Sequence, residues 1–212
     1  MTSKQKASVA PSVNGPYWVK DIVSFTNQKG PIRRLELSMA LCRCGASRDK
    51  PFCDGAHVKI GFSSENPLSG SQDKRDTYEG REIAVHDNRS ICAHAGYCTD
   101  GLPSVFRMKE TPWIDPNGAS REQVIRIVQR CPSGALSYSV DGVEPRDLER
   151  DPAIFVVPDG PYVVTGGVEL RDTSHAQGAS TEHFTLCRCG RSRNKPFCDG
   201  THWHIGFKDE KN

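Results

Sequence analysis

The sequence repeats itself around its cysteines, and that repeat limits the folds open to it. Residues 41–57 read LCRCGASRDKPFCDGAH and residues 186–202 read LCRCGRSRNKPFCDGTH, with 14 of 17 positions identical. The second copy lies 145 residues on (187 − 42). The same offset relates Gly15-Pro16-Tyr17 to Gly160-Pro161-Tyr162, and Ile60-Gly61-Phe62 to Ile205-Gly206-Phe207. One unit therefore spans 15–62 and recurs over 160–207 without a gap. Units this small bury too little apolar surface to be secure alone and often carry metal staples. The composition agrees: 36% hydrophobic, with 19 Gly and 14 Pro, implies short elements and many turns.

Each copy offers Cys-x-Cys-x8-Cys-x3-His. In extended chain, residues i and i+2 point to one side, so both sulfurs of the first pair can grip one metal ion. The Cys-x3-His pair is spaced i, i+4, one face of a helical turn, and can grip a second. Two such pairs complete a [2Fe–2S] cluster with three Cys and one His. The candidate ligands are Cys42, Cys44, Cys53 and His57 in the first copy, and Cys187, Cys189, Cys198 and His202 in the second. The competing reading is a zinc knuckle, which a one-residue gap between paired cysteines fits poorly. Gly55 and Gly200 would let the backbone approach a cluster. Asp54 and Asp199 would cap the short helices expected at CDGAH and CDGTH. Ser47 and Ser192 would donate to sulfur or backbone.

The pattern C-x-C-x2-S-x3-P-x-C-D-G-[A/T]-H resembles the CDGSH iron–sulfur domain (mitoNEET-like) family, and both copies match it at every defining position. The resemblance implies the eight ligands just named and a fold in which two such units intertwine. Here both lie in one chain, which implies an intramolecular pseudo-dimer.

Three cysteines remain. Cys92 and Cys98 are followed by a remote Cys131-Pro132. This is the bacterial ferredoxin run with Ala95 where the second cysteine would stand. Three thiolates suit a [3Fe–4S] cluster; a [4Fe–4S] cluster would need a fourth ligand, for which His94 lies one residue out of register. Three buried structural cysteines are the alternative. The segment from about Thr77 to Tyr138 resembles a divergent single-cluster ferredoxin-like domain.

The expected fold class is α+β: two small β-rich CDGSH units, possible partners in a pseudo-dimer, with an inserted small ferredoxin-like α+β domain. The boundaries read as a flexible tail over 1–14, unit 1 over 15–62, a linker over 63–74, the ferredoxin-like domain over 75–143, a linker over 144–159, unit 2 over 160–207 and a tail over 208–212. Leu35, Leu37, Met39 and Leu41 alternate with polar or small residues as a strand does. Tyr162-Val163-Val164 and Phe184/Leu186 play similar parts in unit 2. Ser120 and Gln123 form a capping box, with Val124, Ile127 and Val128 as an apolar stripe ending before Cys131-Pro132.

A formal charge of +2 with no Lys/Arg run implies no nucleic-acid partner. No run of about 18 apolar residues is present, which implies no membrane span. Nine cysteines, an odd number, cannot all close into disulfides. Without a secretory signal, clustered cysteines suggest metal ligands in a reducing compartment, a bacterial cytoplasm rather than an organellar matrix. Arg43, Arg48, Lys50, Arg188, Arg193 and Lys195 read as a solvated face, the alternative being that they moderate cluster charge or dock an acidic redox partner. Trp18, Trp113 and Trp203 read as core or cluster shielding, and His86, His175, His183 and His204 have no spacing that recruits them. The chain offers metal centres and no catalytic constellation. The expected function is electron transfer rather than catalysis, with a redox partner protein or an apo acceptor of clusters. The alternatives are a cluster donor or redox/iron sensor, and a metal-stapled structural interaction module.

Overall fold

The structure, a computed structural model, describes residues 6–32, 34, 36–66, 73–145 and 148–212. Its terminal units contribute β1 (Ser8–Pro11), β2 (Tyr17–Lys20), β3 (Ser24–Asn27), β4 (Gly30–Pro31), β5 (Ser38–Leu41) and α1 (Ala56–Lys59) from the first copy. The insert holds β6 (Asp76–Glu79), β7 (Ala84–Asp87), α2 (Tyr97–Gly101), α3 (Arg121–Val128) and β8 (Leu136–Ser139). The second copy supplies β9 (Ala153–Val156), β10 (Tyr162–Thr165), β11 (Glu169–Leu170), β12 (Phe184–Leu186) and α4 (Thr201–His204). The class is α+β, rich in short strands.

The two copies are interwoven. One sheet runs β11-β1-β2-β5 and the other β12-β10-β9-β3-β4. Within each copy the neighbouring strands are antiparallel. The exchanged strands pair in parallel across copies, β1 with β11 and β3 with β9. Each sheet is therefore incomplete without a strand of the other unit, and the pseudo-dimer implied by the repeat is present in one chain. The strands alternate as half-buried strands must: in β2, Tyr17 and Val19 are buried while Trp18 and Lys20 face outward. One core serves both units, uniting Val9, Tyr17, Phe25 and Leu41 with Ile154, Tyr162, Phe184 and Leu186.

Several expected boundaries differ. Residues 8–11 of the expected tail are strand β1, with Val9 fully buried. Residues 153–156 of the expected linker are strand β9, central in its sheet. Both pair with strands far off in sequence, and neither is long enough to show its period. In the expected C-terminal tail Asp209 and Asn212 are buried, because Asp209 pairs with Arg188 and Asn212 with Asn27. The strand expected from Leu35 begins only at Ser38, and Leu37 is exposed. Leu35 itself, residues 1–5, linker residues 67–72, and 146 and 147 lie outside the described residues.

The insert is a three-stranded antiparallel sheet, β6-β7-β8, packed on α3. Ser120 and Gln123 make the reciprocal capping box at the start of α3, and Val124 and Val128 are its buried face. Among the described residues no helix is long and apolar enough to cross a membrane.

Candidate metal centres

In each copy the strand entering the motif, β5 or β12, ends one residue before the first cysteine. The third cysteine is brought back beside it by backbone pairing. Cys42 N–H donates to Pro51 O at 2.8 Å and Cys53 N–H to Ala40 O at 2.9 Å. In unit 2, Cys187 N–H donates to Pro196 O at 2.8 Å and Cys198 N–H to Thr185 O at 3.0 Å. Ser47 and Ser192 lock the intervening turns, donating to Phe52 O and Phe197 O at 2.7 Å. They serve the backbone rather than sulfur. Asp54 accepts the Ala56 and Arg48 N–H groups at 3.0 and 2.8 Å. Asp199 does the same for Thr201 and Arg193. Those backbone donors, Arg48 first, draw the Asp54 carboxyl below its ordinary range. Gly55 and Gly200 sit at φ 82° and 81°, a left-handed turn that favours glycine and opens the short helices carrying the histidines.

The donors arrive in pairs. The Cys42 and Cys44 sulfurs are 3.9 Å apart, and those of Cys187 and Cys189 3.7 Å. Cys53 Sγ lies 3.3 Å from His57 Nδ1, and Cys198 Sγ 3.4 Å from His202 Nδ1. Two donors on one tetrahedral metal, with bonds of about 2.3 Å to sulfur and about 2.0 Å to nitrogen, would stand ~3.8 Å apart for S/S and ~3.5 Å for S/N. Both kinds of pair match. Among the described residues no group of three or more Cys, His, Asp or Glu gathers closely enough to hold a single metal ion. Each pair is thus spaced to share one metal ion, and Nδ1 is the imidazole atom presented.

Five of the six thiols are buried and Cys53 is half-buried, and burial and their mutual contacts set their acidity. A hydrogen bond from Cys44 draws Cys42 down to about 6, while the same contact and burial hold Cys44 up. In unit 2, Cys189 is lowered and Cys187 raised for the same reason. Burial raises Cys53 and Cys198. A metal must displace these protons, so acid competes with it. Burial likewise lowers His202 to about 4.

The motif's arginines correct one expectation. Arg43 and Arg188 are buried rather than part of a solvated face. The residue between two same-side sulfurs points the opposite way, into the protein. Arg188 donates to Gly160 O and Val157 O at 2.8 Å and pairs with buried Asp209. Arg43 donates to Ser12 O at 2.7 Å and lies over Tyr17 and Phe62. Trp18 and Trp203 are exposed rather than core, although the Trp203 ring lies 5.3 Å from that of His202 between centroids. Trp113 does line the middle site. His86 bonds Thr77 and Ser139, and His175 packs on Phe184 and Phe197.

Two functional residues escaped the sequence reading, although their Gly-Pro-Tyr signal is repeated. Tyr162 donates its hydroxyl to Cys42 O at 2.8 Å and Pro51 O at 2.9 Å, in the other unit. Tyr17 reciprocates on Cys187 O at 3.0 Å and Pro196 O at 2.9 Å. Burial pushes both phenols well above their ordinary range, so they remain protonated donors. Each copy's tyrosine thus clamps the other copy's cysteine loop.

In the middle domain, Cys92 follows a 3₁₀ turn, Cys98 lies in α2, and Cys131 stands just past α3. All three are half-buried and line one cavity of about 460 Å³ with Asp87, Arg89 and Trp113. Burial pushes the Cys92 thiol up to about 12 and raises Cys98. Arg89 reaches Cys92 Sγ at 3.8 Å. Ala95, where a fourth cysteine would stand, is exposed. Asp87 was not anticipated. It is buried, and neither carboxylate oxygen accepts a hydrogen bond of good geometry.

These sites, closed sets of thiolate and imidazole on small interwoven β units beside a three-cysteine cavity, define an iron–sulfur protein. Family comparison agrees. A model described as iron-binding zinc finger, CDGSH type, matches residues 14–58 and 159–203. One described as a divergent 4Fe-4S mono-cluster matches residues 78–141. An uncharacterized protein of Escherichia coli K12, YjdI, is 41% identical over 61 residues, 29% of this chain and 80% of the relative. The protein of that name from E. coli O157:H7 gives the same figures. The chain belongs to the CDGSH-type iron-binding family, with a divergent 4Fe-4S mono-cluster domain between its two CDGSH domains.

Proposed function

We propose that the chain is an electron carrier with two [2Fe–2S] clusters and one [3Fe–4S] or [4Fe–4S] cluster. Cys42, Cys44, Cys53 and His57 would hold the first, and Cys187, Cys189, Cys198 and His202 the second. Cys92, Cys98 and Cys131 would hold the third. The observation that carries this reading is the pairing of donors at 3.3 to 3.9 Å in both CDGSH sites. Four protein donors leave no open position for a substrate, the condition of a structural or electron-transfer centre rather than a catalytic one. When bound, the clusters supply one-electron redox chemistry. The protein's own residues fix the donors and exclude water. Three cysteines on one cavity, with exposed Ala95 opposite the ferredoxin pattern, support three thiolate ligands in the middle domain.

Iron and acid-labile sulfide analysis with EPR tests the reading. The expected result is two [2Fe–2S] centres, silent when oxidised, and a third centre, all reversibly reducible. A colourless protein holding zinc, or clusters that cannot be reduced, would refute it. A second reading, cluster donation, is favoured by the half-buried Cys53 and His57 of unit 1. Cluster transfer to an apo-ferredoxin without electron exchange would select it.

A further inference from the structure

The two copies of the motif are nearly identical in sequence, yet their surroundings differ. At Gly55 an added Cβ would meet nothing within 4 Å. At Gly200 it would meet the His94 imidazole, with Nδ1 at 2.3 Å and Cγ at 2.8 Å. His94 belongs to the middle domain, between Cys92 and Cys98. Its backbone is left-handed, φ 53°, an uncommon conformation for a residue with a side chain. That turn lays the ring against Gly200 at the start of α4, two residues before His202.

A second clip lies beside it. Asn194 donates to Ser90 O at 2.7 Å, joining unit 2 to the segment that leads into Cys92. Position 49 is the equivalent in unit 1. It holds Asp rather than Asn and pairs with Arg34 of its own unit at 3.0 Å. One of the three differences between the two motifs therefore sits at the contact with the middle domain. The donors record the outcome: Cys198 and His202 are buried, whereas Cys53 and His57 are only half-buried. Ser90 and His94, two residues to either side of Cys92, both touch unit 2, so the middle and unit-2 sites are close neighbours. The cysteine loops of the two units also touch. A Cβ at Gly190 would stand 2.4 Å from Cys44 O, and one at Gly45 2.7 Å from Cys189 O.

We propose that the two CDGSH sites are functionally unlike. His94 caps the unit-2 site and makes it an internal centre, wedged between the middle site and unit 1. Unit 1 keeps the open site, the one at which an external electron-transfer protein is met. His94 acts as a positioning residue that seals Gly200, not as a ligand. The inference rests on both donor sets holding clusters.

The test is iron release from the full-length holoprotein to bathophenanthroline disulfonate. Release from the CDGSH sites should be biphasic, with the slow phase at least an order of magnitude slower. Cys53→Ser should remove the fast phase and Cys198→Ser the slow one. The Cys53→Ser/Cys198→Ser double variant measures the contribution of the middle site. His94→Ala should turn the slow phase fast and leave the fast phase alone. Gly200→Ala, which drives the imidazole off its seat, should do the same. Gly55→Ala imposes the same backbone strain on unit 1 without displacing a side chain, and so measures strain alone. Hydrogen exchange at the Trp203 amide, bonded to Gly200 O, should quicken in His94→Ala even in apoprotein. Equal release from the two copies in the wild type overturns the proposal. So does a slow phase and a Trp203 amide unchanged by His94→Ala. Release rates do not depend on whether the clusters carry electrons. Failure here would leave the electron-carrier reading standing, and failure of reversible reduction would leave this result intact.

Discussion

Tyr162→Phe removes one oxygen from unit 2, and its effect should appear in unit 1. The ring would stay, with its edge contact to Tyr17 at 6.1 Å between centroids, so packing is conserved. What is lost is the donor to Cys42 O and Pro51 O. Pro51 O keeps the Cys42 N–H, so the penalty falls chiefly on the buried Cys42 carbonyl. Leaving a buried acceptor without its donor costs about 1–3 kcal/mol. Taking roughly 1–2 kcal/mol as the part felt by the loop, cluster retention in unit 1 should weaken about 5- to 30-fold. The assay is chelator-driven loss of visible absorbance in two backgrounds. In Cys198→Ser, where unit 1 is the remaining CDGSH site, Tyr162→Phe should accelerate loss by that factor. In Cys53→Ser, where unit 2 remains, it should do little. Tyr17→Phe should show the opposite pattern. An effect confined to the mutated tyrosine's own unit, or none in either background, would refute the cross-unit clamp.

Asp87 should make the chain less stable as pH rises. Burial pushes its carboxyl from 3.8 to about 7, and Arg89 at 3.9 Å and Trp113 offset this only in part. The folded state thus binds a proton that the unfolded state has already released, and stability falls as pH climbs from about 4 to about 7. Three pKa units correspond to ~4 kcal/mol at most. Asp87→Asn should therefore stabilise the protein at pH 8 and flatten the profile in urea unfolding; a wild-type profile that rises with pH would contradict this. Arg188→Met strands the buried Asp209 carboxylate and should cost about 3–5 kcal/mol. Arg43→Met should cost less, since Ser64 stands where unit 2 has Asp209; equal losses in thermal unfolding would count against the ion pair. Gly190→Ala places a Cβ 2.4 Å from Cys44 O at φ 77°, and should lower the melting temperature more than Gly142→Ala, whose Cβ at φ 74° meets nothing within 4 Å.

The spacing of the cysteines and histidines was legible in the sequence because ligand geometry is local. A one-residue gap aligns two sulfurs, and an i, i+4 step aligns a sulfur with an imidazole, whatever surrounds them. The capping box of α3 and the helices that open within CDGAH and CDGTH were readable for the same reason. The strands β1 and β9 were not. Val9 and Ile154 find their places by pairing with Leu170 and Phe25 in the opposite unit, and four-residue strands carry too little pattern to announce partners so far away. The burial of Arg43 and Arg188, the tyrosine clamps and the seat of His94 on Gly200 are likewise properties of the interwoven whole. The sequence by itself determined which atoms can bind metal. Only the tertiary structure decided which of two nearly identical sites is enclosed, because enclosure depends on what a distant part of the chain packs against.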